Sequence, residues 1–210
     1  MPRKARLITP GIPHHITQRG NRKTQIFCSI RDREIYLRLL KANIEHHGIE
    51  LLAYCLMSNH IHLIAVPPNV DSFVHLIRNT HSTYARYFNS CNGFTGHLVQ
   101  NRFFSTPVEE AYIWQAIRYV ERNPVRARIV DRAENYRWSS AAAHCGLRDD
   151  PILCKTDKCG LSFQDWRYCL TEPDQPQTLT SLRENTLIGR KKRDRGVCHQ
   201  MEKRDRGVCH

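Results

Sequence analysis

The sequence predicts an α+β fold of the ferredoxin-like (split βαβ) kind: an antiparallel sheet with helices packed on one face, continued by a C-terminal helical or irregular extension. Three observations lead there. Strand-forming and helix-periodic runs follow in the order strand, helix, two strands, helix, strand, helix. The two middle strand runs are separated only by Met57-Ser58-Asn59, short enough for a turn or bulge. The helical runs carry apolar residues at three- and four-residue steps, which suits one buried face each.

After a basic start punctuated by Pro10-Gly11-Ile12-Pro13, His14 to Gly20 reads as a short strand closed by a glycine turn. Ser29 is an N-cap residue, and the helix it opens has Ile35, Leu39, Ala42 and Ile44 inward, Arg31, Glu34, Arg38 and Lys41 outward, and a stop at Gly48. Ile49 to Leu56 is apolar enough for a buried strand. The next strand carries His60 and His62 and stops at Pro67-Pro68. Asp71 or Ser72 caps a helix whose Phe73, Leu76, Ile77, Thr80, Tyr84, Tyr87 and Phe88 fall on one side, so Tyr84 and Tyr87 read as core. Asn92-Gly93 and Thr95-Gly96 mark turns. His97 to Ser105 reads as a further strand, and Thr106 or Pro107 starts a third helix, entered through Glu109 and Glu110, whose charge suits a helix N-terminus.

The 210-residue chain can bury one good core, and its division reads as a domain over 1–145, an extension over 146–189 and a basic tail over 190–210. No apolar run is long enough to span a membrane. The first residues lack the apolar stretch of a secretory signal, which predicts a cytoplasmic, nucleoid-associated protein with its nine cysteines reduced. A zinc site from Cys145, Cys154, Cys159 and Cys169 would fit no common zinc-ribbon spacing. The net charge of +12 points to a polyanionic partner. Residues 1–28 hold six basic residues and no acid, and residues 190–210 hold eight basic and three acidic, so +6 and +5 sit at the ends and +1 on the body.

Side chains alternate along a strand, so His60 and His62 share a face while Ile61 and Leu63 point into the core. Two imidazoles on one face can grip a metal ion, or they can be an ordinary half-exposed pair. In the third helix Ile113, Ile117 and Val120 form the inward stripe; Tyr112, Gln115, Tyr119 and Asn123 share another side. A phenol and an amide oxygen one turn apart suit metal-assisted phosphoryl transfer. Asn123 would equally serve as N-cap of a helix beginning at Pro124, and Tyr119 as half-buried packing.

Several longer words carry a resemblance. Pro2-Arg3-x-Ala5-Arg6, Pro10 to Asn21 (PGIPHHITQRGN), Ala53 to Leu63 (AYCLMSNHIHL), Arg118 to Ala127 (RYVERNPVRA) and Tyr136-Arg137-Trp138-Ser139-Ser140 stand in the order found in REP-associated tyrosine transposases. These are a branch of the single-tyrosine HUH transposases of bacterial insertion sequences, and the chain resembles them over about residues 1–145. The resemblance implies that His60 and His62 are the metal pair, that Tyr119 is the nucleophile, and that Asn123 stands where relatives place a third ligand. It implies a Mg²⁺ or Mn²⁺ cofactor, the mixed imidazole and amide donors favouring Mn²⁺. The implied substrate is single-stranded DNA beside a REP-type hairpin, cleaved and rejoined through a 5′-phosphotyrosine by a monomer or homodimer. Arg3, Lys4 and Arg6 in the first arm, Arg19, Arg22 and Lys23 beyond the first strand, and Arg102 and Arg126 would bind the DNA. A hairpin-binding protein without catalysis and a metal-dependent nuclease using water are the rival readings. Two departures stand out: Val99-Gln100-Asn101-Arg102 replaces the family's Trp-x-Gly-Arg, and KRDRGVCH occurs twice, at 192–199 and 203–210.

Overall fold

The computed structural model describes residues 8–100, 102–154 and 163–173, all within one compact unit spanning Met1–Pro173. Arg3, Lys4, Arg6, Cys159 and the duplicated tail lie outside the described residues. Four strands, β1 (His14–Arg19), β2 (Glu50–Met57), β3 (His60–Val66) and β4 (Phe104–Pro107), form one antiparallel sheet in the order β2-β3-β1-β4. That is the α+β, split βαβ arrangement the element order predicts.

Helix α1 (Ile30–His47) begins where the cap residue says it should. Ser29 Oγ accepts from the Asp32 amide, and the Asp32 carboxylate accepts from the Ser29 amide, closing a capping box; left-handed Gly48 ends the helix. Its buried stripe is Tyr36, Leu40 and Ile44, one position round from the expected Ile35, Leu39 and Ala42, and Ala42 is exposed. Helix α2 (Ser72–Asn92) buries Phe73, Leu76, Ile77, Thr80, Tyr84 and Phe88 as the spacing predicts. Both helices pack on the sheet face formed by Ile16, Tyr54, Leu56, Ile61, Leu63 and Ala65.

The second face of the sheet differs from expectation. It is not open: α3 (Ile113–Glu121) lies across β2 and β3 and buries Ile113, Ala116, Ile117 and Val120 there. Two boundaries also move. The strand expected over His97 to Ser105 is confined to Phe104–Pro107, preceded by a single bridge between Gly20 and Val99, and the third helix starts at Ile113 rather than at Thr106 or Pro107. Pro107 ends an edge strand, where its missing N–H costs no ladder bond. A 3-10 turn, Glu110–Tyr112, bridges the gap.

The outer edge of β2 is covered by the segment Tyr136 to Ser140. Leu56 N donates to Trp138 O at 2.9 Å, Ser140 N donates to Tyr54 O at 3.0 Å, and the Tyr136 hydroxyl donates to Leu56 O at 2.8 Å. From there the chain passes through α5 (Ala141–His144) to α6 (Phe163–Thr171). These parts meet at Glu121, the last residue of α3, which is fully buried. Its carboxylate accepts from Ser140 Oγ at 2.5 Å, from His144 Nδ1 at 2.6 Å and from Trp166 Nε1 at 2.8 Å. Burial works to lower the pKa of His144, but the Glu121 charge and hydrogen bond and the charge of Asp150 outweigh it, so the net shift is upward.

Buried His81 shows the opposite balance. Its Nε2 lies 2.8 Å from the Tyr36 hydroxyl, and burial pushes its pKa down to about 4. A depressed histidine is neutral in the native state while the unfolded chain binds a proton below its ordinary 6.5, so its contribution is lost as pH falls through that value. The cost reaches at most about 3 kcal/mol near pH 4, at about 1.4 kcal/mol per pKa unit. The melting temperature is therefore expected to fall steeply between pH 6.5 and 4, and His81→Gln to flatten that limb. An equally steep limb in the variant would contradict this account. Among the described residues no helix is long and apolar enough to cross a membrane.

Candidate active site

The register of the central strands assembles one side of the site. Thr17 and Cys55 flank His62, and Arg19 and Met57 flank His60, so both histidines stand on the face that α3 covers. Their ring centroids are 4.9 Å apart. His60 is partly exposed and its Nδ1 lies 2.6 Å from Asn59 Oδ1. His62 is buried, which replaces the expected half-exposed pair with one accessible ring and one covered ring.

The neighbour that covers His62 is His15, also buried. Its Nε2 is 2.9 Å from His62 Nδ1, and the rings lie nearly parallel with centroids 5.2 Å apart. Sequence reasoning did not single out His15, although it stands in a quoted word. The available signal was parity: residues 14 and 15 face opposite ways on β1, and only the strand pairing shows that His15 joins His62 while His14 turns to Phe73. Burial and the charge of Arg126 push the His15 pKa down to about 4. His62 is held well below its ordinary value by burial first, then by His15, His60, Arg126 and Arg19. Both are neutral near pH 7, the form that binds metals.

Tyr119 enters from α3, partly exposed, its ring 5.8 Å from that of His15 and 6.2 Å from that of His62, edge-on to both. A short helix, α4 (Asn123–Arg126), follows, and Arg126 folds back so that its guanidinium lies 4.2 Å from the Tyr119 ring centroid and donates to the Tyr119 carbonyl. Asn123 does not cap α4 through its side chain. Its Nδ2 donates to the carbonyls of Tyr119 at 3.2 Å and Val120 at 3.0 Å, securing the last turn of α3. That leaves Oδ1 as the atom it can offer a ligand. Tyr112 belongs to the 3-10 turn and is exposed, off the helix face it was expected to share. Tyr84 is core, donating to Ile26 O at 2.5 Å.

Arg22 and Lys23 stand exposed on the turn after β1, both with positive φ, at 50° and 64°. Gly20 is required there: a Cβ would lie 2.2 Å from Thr24 O. The divergent segment runs along the same end of β1, with Asn21 N donating to Leu98 O and Gln100 N donating to Arg19 O, both at 2.9 Å. Arg102, its last residue, is half-buried.

The donor set suits a divalent ion held by few protein atoms. Among the described residues no three His, Cys, Asp or Glu side chains converge on one point, and Cys145 and Cys169 are free thiols. Two imidazoles and an amide oxygen are the donors these elements could supply to such an ion.

A helix-borne tyrosine laid against a pair of strand histidines, on a four-stranded antiparallel sheet, sets the general class. Residues 10–123 match the family described as Transposase IS200 like, and the chain belongs to that family. Among solved structures it is similar to a REP-associated tyrosine transposase bound to a REP hairpin, at 19% identity and TM-score 0.56, over 77% of this chain and 96% of that one; the likeness shows a shared fold. It also aligns with a candidate transposase from Deinococcus radiodurans R1, at 20% identity and TM-score 0.38, over 57% of this chain and 95% of that one. No protein of curated function matches the chain.

Proposed function

We propose that the protein is a REP-type tyrosine transposase that binds hairpin DNA and cleaves and rejoins its single-stranded flank with Tyr119. The observation that carries this reading is the approach of the Tyr119 ring to His62, with Arg126 on the ring. His60 and His62 would hold a Mg²⁺ or Mn²⁺ ion, with Asn123 Oδ1 as a third donor. When bound, that ion supplies Lewis-acid polarisation of the scissile phosphate. The Tyr119 oxygen attacks phosphorus and gives up its proton, the P–O3′ bond breaks, and the departing 3′ oxygen takes a proton. One phosphodiester replaces another, so a 3′-hydroxyl can reverse the step without ATP. Arg126 brings a permanent positive charge to the ring side of the attacked phosphate, and Arg19 does so beside His60.

Arg22, Lys23 and Arg102 would contact phosphates, and the basic ends, Arg3, Lys4 and Arg6 among them, would add salt-sensitive affinity that carries no sequence information. The test is a denaturing gel of the full-length protein with 5′- and 3′-labelled hairpin DNA and Mn²⁺. A shifted band carrying the label 3′ of the cut is the expected result. Cleavage without a protein-linked band would favour a water-using nuclease, and binding without cleavage a hairpin-binding protein.

A further inference from the structure

We propose that His15 and Asn59 are positioning residues that hold His62 and His60 as Nδ1–H tautomers, so that both rings present an Nε2 lone pair to the same ion. The inference rests on the metal reading above and concerns what makes that pair competent. A neutral imidazole carries one proton, and only the unprotonated nitrogen can bind a metal. For His60 the partner decides. Asn59 Oδ1 is an acceptor, 2.6 Å from His60 Nδ1, while the same amide's Nδ2 points to Lys23 O at 3.4 Å; the proton between Asn59 and His60 must therefore be the ring's. Nε2 of His60 is then the lone-pair nitrogen.

For His62 the partner is another imidazole, and two arrangements satisfy the 2.9 Å contact. If His15 Nε2 carries the proton, His62 Nδ1 accepts, and the proton of His62 must sit on Nε2, where it blocks metal binding. If His62 Nδ1 carries it, His15 Nε2 accepts and His62 Nε2 is open to the ion. Protons on both nitrogens would face each other across 2.9 Å and leave no hydrogen bond. Of the two, the metal reading requires the second: His15 acts as an acceptor that holds His62 in its metal-competent form, in the way outer-shell partners fix metal-ligating histidines elsewhere. Its near-coplanar contact with His62 and edge contact with Tyr119 leave the ring little freedom to turn away.

The decisive measurement is imidazole ¹⁵N NMR of the labelled full-length protein without DNA or metal, paired with Mn²⁺ titration by electron paramagnetic resonance. In the parent protein His60 and His62 should both show a protonated Nδ1 and an unprotonated Nε2. His15→Phe keeps an aromatic ring but removes the acceptor; His62 should shift toward the Nε2–H form, and Mn²⁺ affinity should fall about 10- to 100-fold. His15→Gln, whose amide oxygen can accept, should restore both. An Nε2–H signal for His62 in the parent, or an unchanged tautomer and Mn²⁺ affinity in His15→Phe, would overturn the proposal. The parent spectrum decides even if the phenylalanine variant fails to fold. A tautomer that switches as expected in a protein that binds no Mn²⁺ would uphold the positioning role and remove the metal from the proposed function instead.

Discussion

Tyr119→Phe should eliminate the covalent protein–DNA product while hairpin binding stays within a few-fold of the parent. Removing one oxygen leaves the ring that Arg126 covers and that His15 and His62 meet edge-on, so the local packing is kept. The reaction has no other nucleophile at that position, and loss of a nucleophile in comparable covalent mechanisms costs on the order of 10⁴-fold or more. Tyr112 and Tyr84 provide the controls: the first is exposed outside α3 and the second is buried with its hydroxyl on Ile26 O. An adduct that survives in Tyr119→Phe and disappears in Tyr112→Phe would move the nucleophile to the wrong side of our reading.

The histidine pair should also fail when either member is removed, but the two variants should differ in stability. His60→Ala deletes a partly exposed ring hydrogen-bonded to its neighbour Asn59 and should melt near the parental temperature, within about 0.5 kcal/mol. His62→Ala empties a buried position and strips His15 of its partner, a loss of about 2–4 kcal/mol by cavity and hydrogen-bond arguments together. Cleavage with Mg²⁺ or Mn²⁺ should vanish in both, measured by product formation under single-turnover conditions, alongside calorimetry. Equal melting temperatures for the two variants would contradict the burial asymmetry, and parental cleavage in both would remove the pair from the mechanism.

Much of the fold was legible because its signals are local. Ser29, Gly48 and Gly93 mark helix ends through side-chain or backbone preferences that act within one turn, and α2 has polar residues between its apolar positions, which fixes its buried side. The stripe of α1 was misjudged because Ile35, Tyr36, Leu37, Leu39 and Leu40 are apolar almost all round; only packing against α2 picks Tyr36 and Leu40. Pro107 misled in another way. Its fixed φ suits the first turn of a helix and the end of an edge strand alike, and tertiary pairing with His14 chose the strand. In the site, the pairing of His60 with His62 follows from strand alternation alone, and Tyr119 with Asn123 from helical spacing. His15 could not be found so, because its neighbours come from 47 residues away and depend on register.

The Glu121 junction sets a schedule for synthesis. Trp166 leaves the ribosome 45 residues after the carboxylate it satisfies, an interval of about 2–9 s at ordinary elongation rates of roughly 5–20 residues per second. During that interval the end of the helix that carries Tyr119 has Ser140 and His144 at most, and one carboxylate oxygen waits for the indole. The helix that carries Tyr119 therefore reaches its final anchoring late in translation, after nearly all of the described chain has been made.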